Sequence, residues 1–390
     1  MRIHVSRHDR GRSSCAWGAV IALAASLLIA ACGDHESARV PLPPPGGNGV
    51  LRLAVVGNQL REPGANQPVW LHGFNWGWWG TALEEDGVAN VERGANVVRI
   101  PFRWYFTGAG ADIRQTDAPG HLSPEGLAAL DSTVRWATDA GLWVVLFAGS
   151  DLGAGSSERN FWTDAALRQE FFEAWAFLAQ RYRNTPRIAA YELLSEPHPK
   201  KPTTSAELRY FYEDLIAVIR RHDKLTPLMI GPNDHYDIAQ LRDVLTMVDD
   251  KLIYAANYYL PTEYCKPDQR GEYNPEPVRY PGPYIDRDGQ PRRVDTIALA
   301  EALQPALDFR TRYDAPVFID QVGCVGAAPG VLEFTRDALA QLRAHQVPWT
   351  FWTYRVNNAG ADEHGLWYRP DKEWLLKSEL DSVLREAMAR

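Results

Sequence analysis

The chain of 390 residues holds only four cysteines, and its formal charge of −8 comes with no run of Lys or Arg. Without a basic stripe, nucleic acid is not expected as a partner. No Gly-x-Ser-x-Gly elbow follows any apolar run, so a Ser–His–Asp hydrolase lacks its nucleophile. His72, His198, His235 and His364 show neither His-x-x-x-His nor Cys-paired spacing, and no metal or other cofactor is expected. They read as polar loop or strand residues. No Gly-rich phosphate turn follows the first strand-like run, which speaks against a doubly wound dinucleotide fold. Long apolar runs are also scarce: Ala16 to Ala31 is too short and Ala-rich for a comfortable membrane span.

That run, preceded by Arg2, Arg7, Arg10 and Arg12, reads as a secretion signal. It ends Leu28-Ile29-Ala30-Ala31-Cys32, which resembles the bacterial lipobox and implies lipidation of Cys32; an ordinary signal with an incidental cysteine is the alternative. Residues 32–50 are polar, then Pro/Gly-rich from Pro41 to Gly47, and read as a spacer. The expected organisation is a signal peptide over 1–31, a flexible linker over 32–50 and one catalytic domain over 51–390. The protein would sit in the cell envelope on acyl chains. Gly33 after the cysteine, by resemblance to bacterial lipoprotein sorting, points to the outer membrane. A monomer is expected. Cys265 and Cys324 remain in the mature chain. They follow two strand-like runs and are expected to form a disulfide, with buried free thiols as the alternative.

From Leu51 the chain reads as a strand, a loop through Asn58–Gln67, and a first barrel strand ending at Asn75. Apolar runs then recur at Val97–Pro101, Leu142–Ala148, Ile188–Leu194, Leu228–Gly231, Ile253–Tyr259, Val317–Gln321 and Pro348–Tyr354. They are continuous rather than alternating, as in parallel strands covered on both faces. Between them lie amphipathic stretches such as Pro124–Asp139, with Leu127, Leu130, Val134 and Trp136 inward, Asp164–Arg183 and Ser205–Arg221. Ser123, Asp164 and Ser205 are fitting N-caps. Eight such units predict a (β/α)8 TIM barrel with an N-terminal β-hairpin.

A barrel places its site at the C-terminal strand ends. There the sequence offers Phe74-Asn75-Trp76, Arg99 to Pro101, Phe147 to Ser150, Ser195-Glu196, Gly231 to Asp234, Asn257 to Tyr259, Gln321 and Trp352. In this order they resemble the strand-end motifs of the cellulase-like glycoside hydrolases of family 5, within the clan A retaining barrels. The resemblance spans the chain from Leu51 onward. It implies that Glu196, in Leu193-Leu194-Ser195-Glu196-Pro197, is the general acid/base. It also implies that Arg99 orients the nucleophile, that Tyr259 closes the sixth-strand motif, and that Trp352 floors the sugar subsite.

Four positions depart from the pattern. Leu146-Phe147-Ala148-Gly149 lacks the third-strand His, Ser195 replaces Asn, Asn257 replaces the sixth-strand His, and Gln321 stands where the nucleophilic Glu is typical. An amide is a poor nucleophile and carries no charge to stabilise an oxocarbenium-like transition state. Its neutrality also lets Glu196 ionise more readily. Asp320 adjoins Gln321 but by strand alternation should face the opposite layer unless a bulge re-aims it. Other carboxylates open to the role are Glu263, Asp151, Asp234 and Asp362–Glu363. Alternatively a 2-acetamido sugar could supply its own nucleophile, with Gln321 orienting it.

Fourteen tryptophans add a sugar-binding signature. Trp76, Trp78 and Trp79 after the first strand and Trp104 after the second are expected at the mouth, where flat rings stack on pyranose faces. Trp162 and Trp367 lie in further loops, while Trp136, Trp143 and Trp175 are assigned to the core. Substrate contacts are thus expected from Arg99, Asn75, Trp76, Trp78, Trp79, Trp104, Gly149, Ser195, Asn257, Tyr259 and Trp352. The resulting expectation is a hydrolase of β-linked poly- or oligosaccharides, built on Glu196 and Gln321. A catalytically disabled carbohydrate-binding lipoprotein and a substrate-assisted acetylhexosaminidase are the alternatives.

Overall fold

A computed structural model describes residues 50–62, 67–77, 82–103, 111–112, 122–149, 162–198, 205–357 and 359–389. The expected signal peptide, the linker up to residue 49, Cys32, Trp78, Trp79, Trp104 and Asp151 lie outside the described residues.

Eight parallel strands close on themselves: β1 (His72–Asn75), β2 (Val97–Arg103), β3 (Trp143–Ala148), β4 (Ile188–Glu192), β5 (Leu228–Ile230), β6 (Leu252–Tyr258), β7 (Val317–Val322) and β8 (Trp349–Phe351). Gly73 of β1 lies opposite Val97 of β2 and Thr350 of β8, which completes the ring. A Cβ on Gly73 would fall 1.8 Å from the Val97 carbonyl, so this seam requires glycine. The strands β3 to β8 are buried along their whole length, which is why their sequences are continuous apolar runs.

The outer ring contains α1 (Asp86–Val91), α2 (Pro124–Asp139), α3 (Ala165–Tyr182), α4 (Ser205–Arg220), α5 (Thr296–Tyr313), α6 (Val331–Ala344) and α7 (Ser378–Met388). Ser123 and Asp164 cap α2 and α3 by accepting from Gly126 N and Leu167 N, at 3.1 and 2.9 Å. Leu127, Leu130, Val134 and Ala137 form the buried stripe of α2. Trp136, expected inward, falls beside that stripe and is half-buried. After β5 a 3-10 helix, Ile238–Val244, replaces the α-helix expected in the fifth unit.

The N-terminal hairpin pairs Ala54–Val56 with Gln59–Arg61. Its turn is Gly57-Asn58, tighter than the loop expected over Asn58–Gln67, because Gly57 takes φ of 57°. Leu53 and Leu60 pack with Leu71, Trp143, Met229, Ile253 and Phe318, plugging the N-terminal end of the barrel. Arg52 latches the plug, donating to Thr226 Oγ1 and Tyr182 O at 2.8 Å each and to Thr185 O.

Two irregularities shape the other end. The register of β7 against β6 slips between Ile319 and Gln321, a β-bulge at Asp320. A disulfide joins Cys265, in the loop after β6, to Cys324 just beyond β7. No described helix is long and apolar enough to cross a membrane.

Candidate active site

The floor of the site is a buried charge cluster around Arg99 on β2. Its guanidinium donates to both Glu192 oxygens at 2.6 and 2.5 Å, to Ser195 Oγ at 2.7 Å and to Asn75 Oδ1 at 2.7 Å. Asp320 Oδ2 lies 3.1 Å away, and the Phe147 ring sits 3.6 Å beneath. Burial opposes the charge on Arg99, yet Glu192 and Asp320 hold its pKa above the ordinary range. One cation therefore faces two carboxylates in a site closed to water. The cost of the second carboxylate falls on Asp320: burial, against the pull of Arg99, lifts its pKa well above the usual range.

This arrangement bears on three expectations. Alternation turned Asp320 away from the pocket unless a bulge re-aimed it, and the bulge is present and brings Asp320 to Arg99. The resemblance made Arg99 the partner of residue 321, whereas its hydrogen bonds go to Glu192, Ser195 and Asn75 and its second ion pair to Asp320. Arg99, Asn75 and Ser195 were expected to touch substrate, yet all three are fully buried and act from below the floor. Asn75 serves structure, donating to Asp320 O at 2.9 Å and Thr350 Oγ1 at 3.1 Å.

Above the floor lies a cleft of about 710 Å³, lined by Glu196, Asn257 and Tyr259 at the ends of β4 and β6. Glu196 stands in left-handed backbone, φ 49°, and its side chain is 25 % exposed. Its Oε1 accepts from Asn257 Nδ2 at 2.6 Å, and its Oε2 lies 3.9 Å from His235 Nδ1. Burial works against ionisation of Glu196, but the nearby His235 imidazole, the hydrogen bond from Asn257 and the Arg99 cation pull its pKa below the ordinary value. Loss of a carboxylate at 321 pointed in the same direction. Tyr259 donates from its hydroxyl to Gln321 Oε1 at 2.7 Å, so the amide occupies the acceptor position at the end of β7. Gln321 is nearly buried, and Trp352, 8 % exposed, ends β8 beside it in the ring. Gly149 closes β3, its N–H donating to Phe102 O at 3.3 Å.

Trp76 is not a mouth residue. It is 3 % exposed, belongs to the core and points its indole N–H at Asn90 Oδ1, 3.3 Å away. The small hollow beside it, lined by Ile100 and Trp136, opens between the strands and α2. Trp162 packs edge-on against Phe211, and Trp367 lies over Arg355. The remaining carboxylates also find places. Glu263 is buried 3.6 Å from Arg287, and Asp234 lies 3.4 Å from His198 on the same wall as Glu196. Asp362 and Glu363 lie on an exposed loop whose carbonyls accept from Ala327 and Gly326.

Sequence reading missed the histidines of the site. His235 lies one residue beyond the strand-end segment Gly231 to Asp234. His364 packs edge-on to Tyr259 with centroids 6.0 Å apart, and burial with Lys266 and Lys377 lowers its pKa to about 4. It is therefore a neutral imidazole. His72, in contrast, is buried against the carbonyls of Trp70 and Gly94. Period-2 alternation on the fourth strand would have placed Glu192 on the face of Glu196, a signal that was available and unused.

A closed barrel whose strand ends surround a cleft lined by Glu196, Asn257 and Tyr259, with Gln321 hydrogen-bonded to Tyr259 behind it, has the layout of a glycoside-hydrolase scaffold. Residues 63–358 match the family described as cellulase, glycosyl hydrolase family 5. The chain belongs to that family, and with it to the enzymes that hydrolyse glycosidic bonds of β-linked polysaccharides. It is 24 % identical over 298 residues to endoglucanase C of Acetivibrio thermocellus, covering 70 % of this chain and 83 % of that protein. Among solved structures it resembles endoglucanase Cel5A of Thermotoga maritima, with a TM-score of 0.62 and 19 % identity over 81 % of this chain and 97 % of the other. The cellulose synthase subunit Z of Clostridioides difficile gives a TM-score of 0.63 at 17 % identity, over 80 % and 99 %. These structural likenesses concern the fold.

Proposed function

We propose that the protein is an envelope β-glycan hydrolase in which Glu196 handles the proton and Gln321 holds the sugar instead of attacking it. The observation that carries this reading is the pair of hydrogen bonds across the cleft, Asn257 to Glu196 and Tyr259 to Gln321. The first prepares an ionisable carboxyl, and the second fixes a neutral amide where double displacement needs a carboxylate. A covalent glycosyl intermediate on residue 321 is therefore not part of the mechanism. Attack falls to water or to a group on the sugar itself. Lipidation at Cys32 would hold the enzyme in the envelope, a reading supported by the Leu28 to Cys32 motif alone.

A second reading, binding without turnover, draws on the same amide and on the low pKa of Glu196, since an acid ionised at neutral pH donates poorly. Product release from β-glucans, mannans and acetylhexosamine polymers, measured for the native protein, Glu196→Gln and Gln321→Glu, separates them. The hydrolase reading expects native cleavage that Glu196→Gln reduces by at least on the order of a hundredfold. A silent native protein whose Gln321→Glu variant cleaves would establish a disarmed hydrolase that binds.

A further inference from the structure

We propose that His235, reaching over from the loop after β5, is a positioning residue that sets the ionisation of Glu196, in place of a histidine on β6, where Asn257 stands. The inference rests on Glu196 being the proton-handling residue.

The loop is built to aim this ring. Asp234, His235 and Tyr236 take φ of 53°, 60° and 63°, three consecutive left-handed residues. Such residues are strained and persist only when their surroundings impose them. Here the surroundings do so from three elements. Tyr236 is fully buried, its hydroxyl donating to Leu194 O at 2.6 Å and lying 3.3 Å from Glu192 Oε1. It folds back over Gly231, where a Cβ would stand 2.3 Å from the Tyr236 ring. The His235 N–H donates to Pro197 O at 3.4 Å, and its carbonyl accepts from Asn257 Nδ2 at 2.8 Å. The same amide nitrogen that holds Glu196 thus holds the backbone of His235. A turn fixed to the residues just beyond β4 and to the end of β6 has no freedom to present another side chain at this place.

The two oxygens of Glu196 are consequently divided. Oε1 takes the Asn257 amide, a donor at every pH, while Oε2 faces His235 Nδ1, a donor only when that nitrogen carries a proton. His198 stacks on the far face of the His235 ring, centroids 4.4 Å apart and planes 16° from parallel, and its own Nδ1 lies 3.4 Å from Asp234 Oδ1. Among the described residues Glu196 and His198 are the titratable groups facing this ring, with Asp234 reaching it only through His198. Lys266, Arg287 and Asp237 line the same cleft, and Arg99 lies below. A histidine in this position offers Glu196 Oε2 a ring nitrogen, in addition to the amide that Asn257 gives to Oε1.

Removing the ring therefore has a defined sign. Loss of a ring donor beside a carboxylate raises its pKa. His235→Asn suits the test because asparagine tolerates left-handed backbone, and His235→Gln is a second variant with the same loss of the ring. Carboxyl-carbon NMR of the labelled full-length protein, which requires no turnover, should show Glu196 titrating at higher pH in both variants. On the substrate identified above, the limb of the pH–rate profile that tracks Glu196 ionisation should move up with it while KM holds. A Glu196 titration unmoved in a variant that retains native circular dichroism overturns the inference. Cleavage that survives Glu196→Gln overturns instead the assignment of Glu196, whatever His235 does to its titration.

Discussion

At the scale of the residue, the unusual feature is a buried carboxylate at position 320 next to an amide at 321. Among the described residues neither oxygen of Asp320 accepts a hydrogen bond; its Oδ2 faces Arg99 at 3.1 Å and shares that cation with the bidentate Glu192. Its raised pKa is a statement about stability. Below the unfolded value near 3.9 the group is neutral in both states and costs nothing. As pH rises past that value the unfolded chain ionises freely while the folded site resists, so native stability falls until the folded pKa is passed. Asp320→Asn has nearly the same shape and no such loss. The variant should match native stability near pH 3 and exceed it at pH 7, measured by urea denaturation at both. A variant weaker at pH 7 than the native protein would mean that the Arg99 contact outweighs the burial of charge.

Residue chemistry also marks what a sequence can and cannot reveal here. Glu196, Asn257, Tyr259 and Gln321 were legible because each ends an apolar run, and a barrel gathers strand ends. Asp320 was misplaced because alternation has period two and a bulge breaks it without any mark in Ile319-Asp320-Gln321. Trp76 looked exposed because it follows a strand, yet one residue beyond β1 is still within the packed layer. His235 was missed because its direction depends on three left-handed residues, which no propensity indicates for Asp-His-Tyr.

At the scale of elements, strands and helices keep their expected order, and the cleft walls come from the loops between them. The loop after β6 is the longest of these, carrying a short hairpin, Gly282–Ile285 with Pro291–Val294. Its first turn contributes Lys266 to the cleft, and the neighbouring Cys265 is tied to Cys324. The bridge spans a sequence separation of 59 residues. A loop of that length corresponds to about 4 kcal/mol of unfolded-state entropy, an upper figure for the stabilisation. Because Cys324 lies three residues after Gln321, the bridge also fixes the β6 loop against the end of β7. Replacing both cysteines with alanine should lower the denaturation midpoint and should also raise KM, since one wall loses its attachment. If stability falls and KM stays constant, the loop is held by its own packing and the disulfide serves the fold alone.

At the scale of the whole molecule, the two ends of the barrel have separate tasks. The chain enters at the N-terminal end, where Arg187 N donates to Leu51 O at 3.0 Å just before β4 and Arg52 reaches Thr226 just before β5. The cleft opens at the opposite strand ends. A tether attached upstream of Leu51 would thus join the barrel at the end away from the cleft and is expected to act on location and leave the chemistry alone. If Cys32 is the lipidated residue, Cys32→Ser should move the protein from the membrane pellet to the soluble fraction. Cleavage of soluble oligosaccharides should stay the same, while cleavage of insoluble envelope glycan falls through lost proximity. Retention of the serine variant in the pellet would rule out the acyl anchor. A matching loss on soluble substrate would instead show that residues before Leu51 support the catalytic domain itself.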